Sequence, residues 1–142
     1  MQRRSFIKGA CRICLLGTSA AAVAAMASCS PAAGKNILHP EVKNNKVLIP
    51  LSTFDAGAFQ IITPAKFQFE IAVERKADNT YSALLLSCTH YSNELTVTGN
   101  GFICSAHGSR FDKQGNVVKG PAENALKQLR TQIINNDLLI HL

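Results

Sequence analysis

The chain has 142 residues and a mass of 15.3 kDa, one domain's worth of length. With 46% hydrophobic and 17% charged residues it has neither a disordered nor a collagen-like composition. Residues 1–28 hold Arg3, Arg4, Lys8 and Arg12 with no acid, a net +4, while residues 29–142 hold 11 bases against 9 acids, a net +2. A nearly neutral body excludes a general nucleic-acid binder, which carries its basic patch on the folded part.

The N-terminus reads as an address. Arg3-Arg4 is followed by Ser5, the apolar pair Phe6-Ile7 and Lys8, and then by a run of apolar and small residues from Ile13 to Ser28. A basic start, a modest apolar stretch and small residues before a cut describe a secretory signal over residues 1–28. The arginine pair points to the twin-arginine route. Such signals imply export of a folded protein, often one whose cofactor is already inserted. A retained membrane span needs roughly 20 predominantly apolar residues. Ile13 to Ala33 has that length, but Gly17, Thr18, Ser19, Ser28, Ser30 and Pro31 interrupt it, which favours cleavage. Met26-Ala27-Ser28-Cys29 resembles the lipidation box of bacterial lipoproteins, with Cys29 as the acylated residue and as the membrane anchor. An ordinary signal that happens to contain a cysteine is the alternative. Residues 29–45 then read as a tether and residues 46–142 as the folded domain.

The body reads as all-β. Val47–Leu51, Phe59–Thr63 and Tyr81–Ser87 are β-rich runs, and Phe67–Val73 alternates apolar and polar for most of its length. The Ala83-Leu-Leu-Leu86 run predicts burial on both faces. Lys76–Asn79, Gly99-Asn100, Asp112–Asn116 and Asn135–Asp137 are turn signals, and each implies a hairpin. Glu94–Thr98 and Gly101–Ile103 flank the second of these, and Leu129–Ile134 and Leu138–Ile140 the last. Only Ala122–Gln128 has helical character. Regularly spaced strands and turns predict an antiparallel sandwich or barrel.

Five cysteines are present, and Cys11 and Cys14 fall within the signal as small apolar residues. Cys88 and Cys104 remain in the body. An exported protein can join such a pair as a disulfide. Each, however, is followed closely by a histidine, in Cys88-Thr89-His90 and Cys104-Ser-Ala-His107. Two cysteines and two histidines also make a zinc set, although common zinc spacings separate the Cys–Cys pair from the His–His pair. His39, beside Pro40 in the tether, reads as solvated, His141 as a strand-end residue and Arg110 as a solvated charge. No spacing of Ser, His and Asp suggests a catalytic triad.

Cys-x-His followed by Cys-x-x-His resembles the ligand pattern of Rieske iron–sulfur proteins. Cys104-Ser-Ala-His-Gly-Ser-Arg-Phe-Asp112 is similar to the family's second cluster loop, and Gly120-Pro121-Ala122 to its proline loop. The likeness runs from about Lys46 to Leu142. It implies a Rieske-like β-sandwich or barrel with a small cluster-binding subdomain of two loops. It implies a [2Fe-2S] cluster in which Cys88 and Cys104 bind one iron and His90 and His107 the other. Both histidines would then lie at the tip, with their outer ring nitrogens exposed. Backbone amides near His90, Gly108 and Ser109 would donate to the sulfides, and Pro121 would help cover the cluster.

Departures from the pattern are informative. Quinol-oxidising members carry one more cysteine in each loop and bridge the loops by a disulfide. Asn93 and Ala106 stand at those positions here. Ser109 matches a serine whose hydroxyl raises the potential, whereas Phe111 replaces a tyrosine that raises it further. Rieske centres span roughly −150 to +300 mV, and one retained hydroxyl implies an intermediate value. The resemblance implies one-electron transfer on the periplasmic side of a bacterial membrane. A cytochrome, a quinol complex or a molybdenum oxidase subunit would be the partner. A subunit of a larger quinol-oxidising or arsenite-oxidase-like complex is the alternative, and a structural zinc domain a third.

Overall fold

The computed structural model describes residues 38–142, and the expected signal, Cys29 and most of the expected tether lie outside the described residues. Strands β1 (Val42–Lys43), β2 (Lys46–Pro50), β12 (Asp137–His141) and β11 (Thr131–Ile134) form one antiparallel sheet in the order β1-β2-β12-β11. A second has the order β10-β5-β4-β3, from β10 (Gln128–Leu129), β5 (Tyr81–Leu85), β4 (Ile71–Arg75) and β3 (Phe59–Ile62). The third is β6 (Thr96–Thr98), β7 (Gly101–Ile103), β8 (Arg110–Phe111) and β9 (Val117–Lys119), in sequence order. One 3-10 turn, Leu51–Phe54, follows β2. All strand pairs are antiparallel, as the strand and turn spacing predicts.

The second sheet is buried on both faces, and its side chains sort by the two-residue period of a strand. Ile62, Ile71, Val73, Ala83 and Leu129 pack with Val47, Ile49, Phe54, Leu138 and Ile140. Their chain neighbours Ile61, Ala72, Leu84 and Leu86 turn the other way, into a second core with Leu95, Phe102, Phe111, Ala122 and Leu126. Cys88 and Cys104 belong to that second core. The registers Val73↔Ala83 and Ala72↔Leu84 keep the two sets apart across β4 and β5. A slip of one residue would exchange the two cores. The first core therefore joins the terminal sheet to the middle one, and the second carries the loops with the candidate ligands.

Three expectations change. The strand expected over Phe67–Val73 begins only at Ile71, and residues 67–70 are turns and irregular chain. Ile71, Ala72 and Val73 are buried in succession because both faces of β4 are covered, so polar alternation does not mark this strand. Ala122–Gln128 is not helical. Ala122 and Leu126 are buried four residues apart, but the backbone bonds outward: Leu126 N–H donates to the Gly115 carbonyl, and Leu85 N–H to the Lys127 carbonyl. Residues 38–45, expected within the tether, are part of the fold. Leu38 bridges Ile62, Thr63 and Ala65 N–H groups donate to the Leu38 and Pro40 carbonyls, and β1 pairs with β2. His39 is exposed as expected, with Nδ1 3.2 Å from the Thr63 carbonyl.

The turn between β8 and β9 is organised by one carboxylate. Asp112 accepts from Gln114 N–H at 2.9 Å, Asn116 N–H at 2.8 Å and Asn116 Nδ2 at 3.0 Å. These bonds, led by the Asn116 side chain, hold the Asp112 carboxyl below its ordinary value. A depressed carboxylate contributes stability that is full above its unfolded value, about 3.9, and is lost as pH falls through the folded value. In urea unfolding, Asp112→Ala should be less stable than the wild type at about pH 6, and the gap should narrow at about pH 3. A gap that stays constant would contradict this linkage.

Candidate metal centre

Two loops of the same build present the candidate ligands. The first follows β5 and the second follows β7. In each, the cysteine carbonyl accepts from the N–H four residues on: Ser92 to Cys88 at 2.7 Å and Gly108 to Cys104 at 2.9 Å. In each, the cysteine N–H donates to the carbonyl five residues on: Cys88 to Asn93 at 2.8 Å and Cys104 to Ser109 at 2.9 Å. The residue at the fourth position is left-handed in both, Ser92 at φ 49° and Gly108 at φ 78°. Closing so tight a loop needs that conformation, which glycine adopts without a Cβ penalty. Equal closures leave the histidines near equivalent places, despite one intervening residue in one loop and two in the other.

The structure brings the two expected cysteines into one buried cluster and the rings of the two expected histidines into contact. Cys88 and Cys104 are free thiols, 2% and 1% exposed, in one buried cluster. The rings of His90 and His107 lie 5.0 Å apart, edge to face at 88°. His107 is exposed and His90 is half-buried. His90 Nδ1 is fully buried without a hydrogen-bond partner. An unpaired buried nitrogen is costly, so it fits a ligand position better than a packing position. The same holds geometrically for His141 Nε2, but that ring stands in β12 of the terminal sheet, away from the loops in the fold.

Ser109 is wholly buried, and its hydroxyl oxygen accepts from Ala122 N–H at 3.0 Å. That bond leaves its proton available to donate. Gly108 N–H is already committed to the Cys104 carbonyl, so Gly108 closes the loop and is not a free donor to a cluster. Phe111 is 2% exposed and packs in the core that holds both thiols. Pro121 is exposed and follows a cis peptide bond at Gly120. Arg110 is exposed on β8, as a solvated charge should be.

Tyr91 was not among the expected residues. It is 70% exposed, and its ring centroid lies 4.2 Å from that of His90 and 5.8 Å from that of His107. An aromatic directly after the first histidine, in a chain with two tyrosines, is the signal that marks it. Among the described residues, no three His, Cys, Asp or Glu side chains converge on a single ion position.

An all-β scaffold with paired Cys/His loops defines the class of iron–sulfur proteins with mixed ligation. The sequence model of the Rieske [2Fe-2S] domain matches residues 47–130, and the chain belongs to that family. Its cofactor is accordingly a [2Fe-2S] cluster. The cytochrome b6-f complex iron–sulfur subunit of Synechococcus elongatus is 38% identical over 55 residues, covering 37% of this chain and 31% of the relative. A corresponding subunit of Nostoc is 42% identical over 55 residues, covering 39% and 29%. The match thus spans about a third of the length of these curated relatives. The plasma membrane Rieske protein PetC3 of Synechocystis PCC 6803 superposes with a TM-score of 0.50 at 26% identity, over 64% of this chain and 93% of that one. Naphthalene 1,2-dioxygenase gives 0.51 at 22% identity, over 75% and 27%, a likeness of fold alone.

Proposed function

We propose that this chain is a one-electron carrier whose [2Fe-2S] cluster is held by Cys88 and Cys104 on one iron and by His90 and His107 on the other. The observation that carries the assignment is the buried, partnerless Nδ1 of His90, on a ring 5.0 Å from that of His107 and one residue along the chain from the free, buried Cys88. When bound, the cluster supplies a single-electron couple at a potential set by its ligands and hydrogen bonds. The protein supplies the rest. Ligation through Nδ1 fixes the His90 proton on Nε2. The buried thiols keep water from the cysteine side. His107 and Tyr91 offer the exposed edge through which a partner approaches. The zinc alternative falls with family membership.

The basic, alanine-rich start and Cys29 support a place on the periplasmic side of a bacterial membrane, after twin-arginine export and lipidation. Candidate partners are a cytochrome, a quinol complex or a molybdenum oxidase subunit. Likeness to subunits of the cytochrome b6-f complex favours a second reading, a subunit of a larger oxidoreductase. Asn93 and Ala106, standing in place of the bridging cysteines, count against direct quinol oxidation.

Reduced protein should show the low average g-value of a mixed Cys/His diiron centre, with iron and acid-labile sulfide in equal amounts. A colourless, sulfide-free preparation would overturn the assignment. The Ser109 hydroxyl should stabilise the reduced cluster, which carries the extra negative charge. A hydrogen bond to a charged group contributes about 1.5–3 kcal/mol. For one electron, ~59 mV corresponds to a tenfold change in the equilibrium constant. Ser109→Ala should therefore lower the potential by roughly 60–120 mV in film voltammetry, and an unchanged potential would remove Ser109 from the tuning.

A further inference from the structure

We propose that Thr89 is a positioning residue that straps the first cluster loop to the segment 120–124, and that this hydrogen-bonded strap does the work of a covalent bridge between the loops. The inference rests on the ligand assignment above. The cysteine backbone bonds close each loop on itself: Cys88 bonds within residues 88–93 and Cys104 within residues 104–109. Both cysteines are free, so no disulfide among the described residues joins the loops. Asn93 and Ala106 supply no thiol to do so.

Segment 120–124 touches both. Its Ala122 N–H donates to Ser109 Oγ of the second loop at 3.0 Å. Its Asn124 carbonyl accepts from Thr89 Oγ1 of the first loop at 2.6 Å, near the short end for hydroxyl donors. These contacts lie two positions apart along the segment, whereas Thr89 and Asn124 are 35 apart in the chain. The segment is itself anchored. Ala122 and Leu126 are 3% and 5% exposed, Leu126 N–H reaches the Gly115 carbonyl at 2.8 Å, and Leu85 N–H reaches the Lys127 carbonyl at 3.0 Å. A fixed third body thus ties down one loop by a hydroxyl donor and the other by a hydroxyl acceptor. Thr89 lies between two ligands, so freeing its side chain loosens Cys88 and His90 together.

The test measures how fast the holoprotein loses its visible chromophore to EDTA under native conditions. Thr89→Val keeps the shape and removes the donor. The control is Thr131→Val, which removes a like bond, Thr131 Oγ1 to the Tyr81 carbonyl at 2.9 Å, on β11 of the terminal sheet. A net hydrogen bond of ordinary strength predicts loss about three- to tenfold faster for Thr89→Val. Thr89→Ser should restore the rate to within about twofold, because the hydroxyl returns. Thr131→Val should stay within about twofold of wild type. Recovery of Thr89→Val without its cluster, while Thr89→Ser keeps it, upholds the strap in a stronger form. Equal rates for Thr89→Val and wild type, or equal acceleration by Thr131→Val, overturn it. A wild-type chain with no cluster strikes the ligand assignment itself, whereas a loaded wild type with an indifferent Thr89→Val strikes only the strap.

Discussion

His90→Ala should yield a folded protein whose affinity for its iron falls by more than about 100-fold, beyond the 10–100-fold typical of losing an outer-shell partner. The argument turns on the state of Nδ1. In the empty fold this nitrogen is buried and unpaired, a situation that costs about 1–3 kcal/mol. Alanine removes the cost, and offsets it by losing the ring contacts with Tyr91 and His107. The empty protein should then unfold at nearly the same denaturant concentration as the empty wild type. On the proposed ligation, the loaded protein loses one of its two imidazole donors. Iron and sulfide content should collapse while far-ultraviolet circular dichroism stays the same. A histidine serving only as packing would give the reverse pattern, a weakened fold with a full iron complement. His107→Ala separates the cases further. Its ring is exposed, so it should abolish the chromophore without touching the stability of the empty fold.

The parts of this molecule that sequence makes legible are those governed by short-range rules. Gly99-Asn100 announced the β6–β7 hairpin, and Asn135–Asp137 the one between β11 and β12, because two-residue turns have narrow chemistry. The Ala83–Leu86 run announced a strand covered on both faces, and β5 feeds both cores. The pairing of each body cysteine with a nearby histidine was legible for the same reason, since both residue types are few and each pair falls within a loop of about six residues. Long-range choices were not legible. Ala122 and Leu126 sit at helical spacing, but the carbonyls and amides of β5 and the 112–116 turn claim the backbone between them. Ile71–Val73 lost the polar alternation that marks a strand because a second layer covers its outer face. Tyr91 and Thr89 escaped notice because their roles depend on partners that only the folded chain supplies, namely His107 for one and Asn124 for the other.

The second large effect should come from a residue with no side chain at all. Gly101 opens β7 at φ 142°, where L residues are strained. A Cβ built there would stand 2.1 Å from the Phe111 carbonyl oxygen and 2.9 Å from the Asp112 backbone. Both obstacles are backbone, so no rotamer change relieves them, and β7 must move away from the end of β8. Those two strands bracket the second loop: β7 leads into Cys104, and β8 leaves after Ser109. Gly101→Ala should therefore cost about 3–5 kcal/mol, through strain and overpacking together. Since about 1 kcal/mol shifts the melting of a domain this size by roughly 4–8 °C, the transition should fall by at least ~12 °C. The cluster should be lost early, because the displaced strand leads directly into Cys104, a proposed ligand. Gly99→Ala is the matched control, two residues away in the same hairpin, with no positive φ and nothing within 4 Å of its new Cβ. It should change stability by less than about 0.5 kcal/mol. Equal melting points for the two variants would mean that the tight approach of β7 to β8 does not hold the second loop in place.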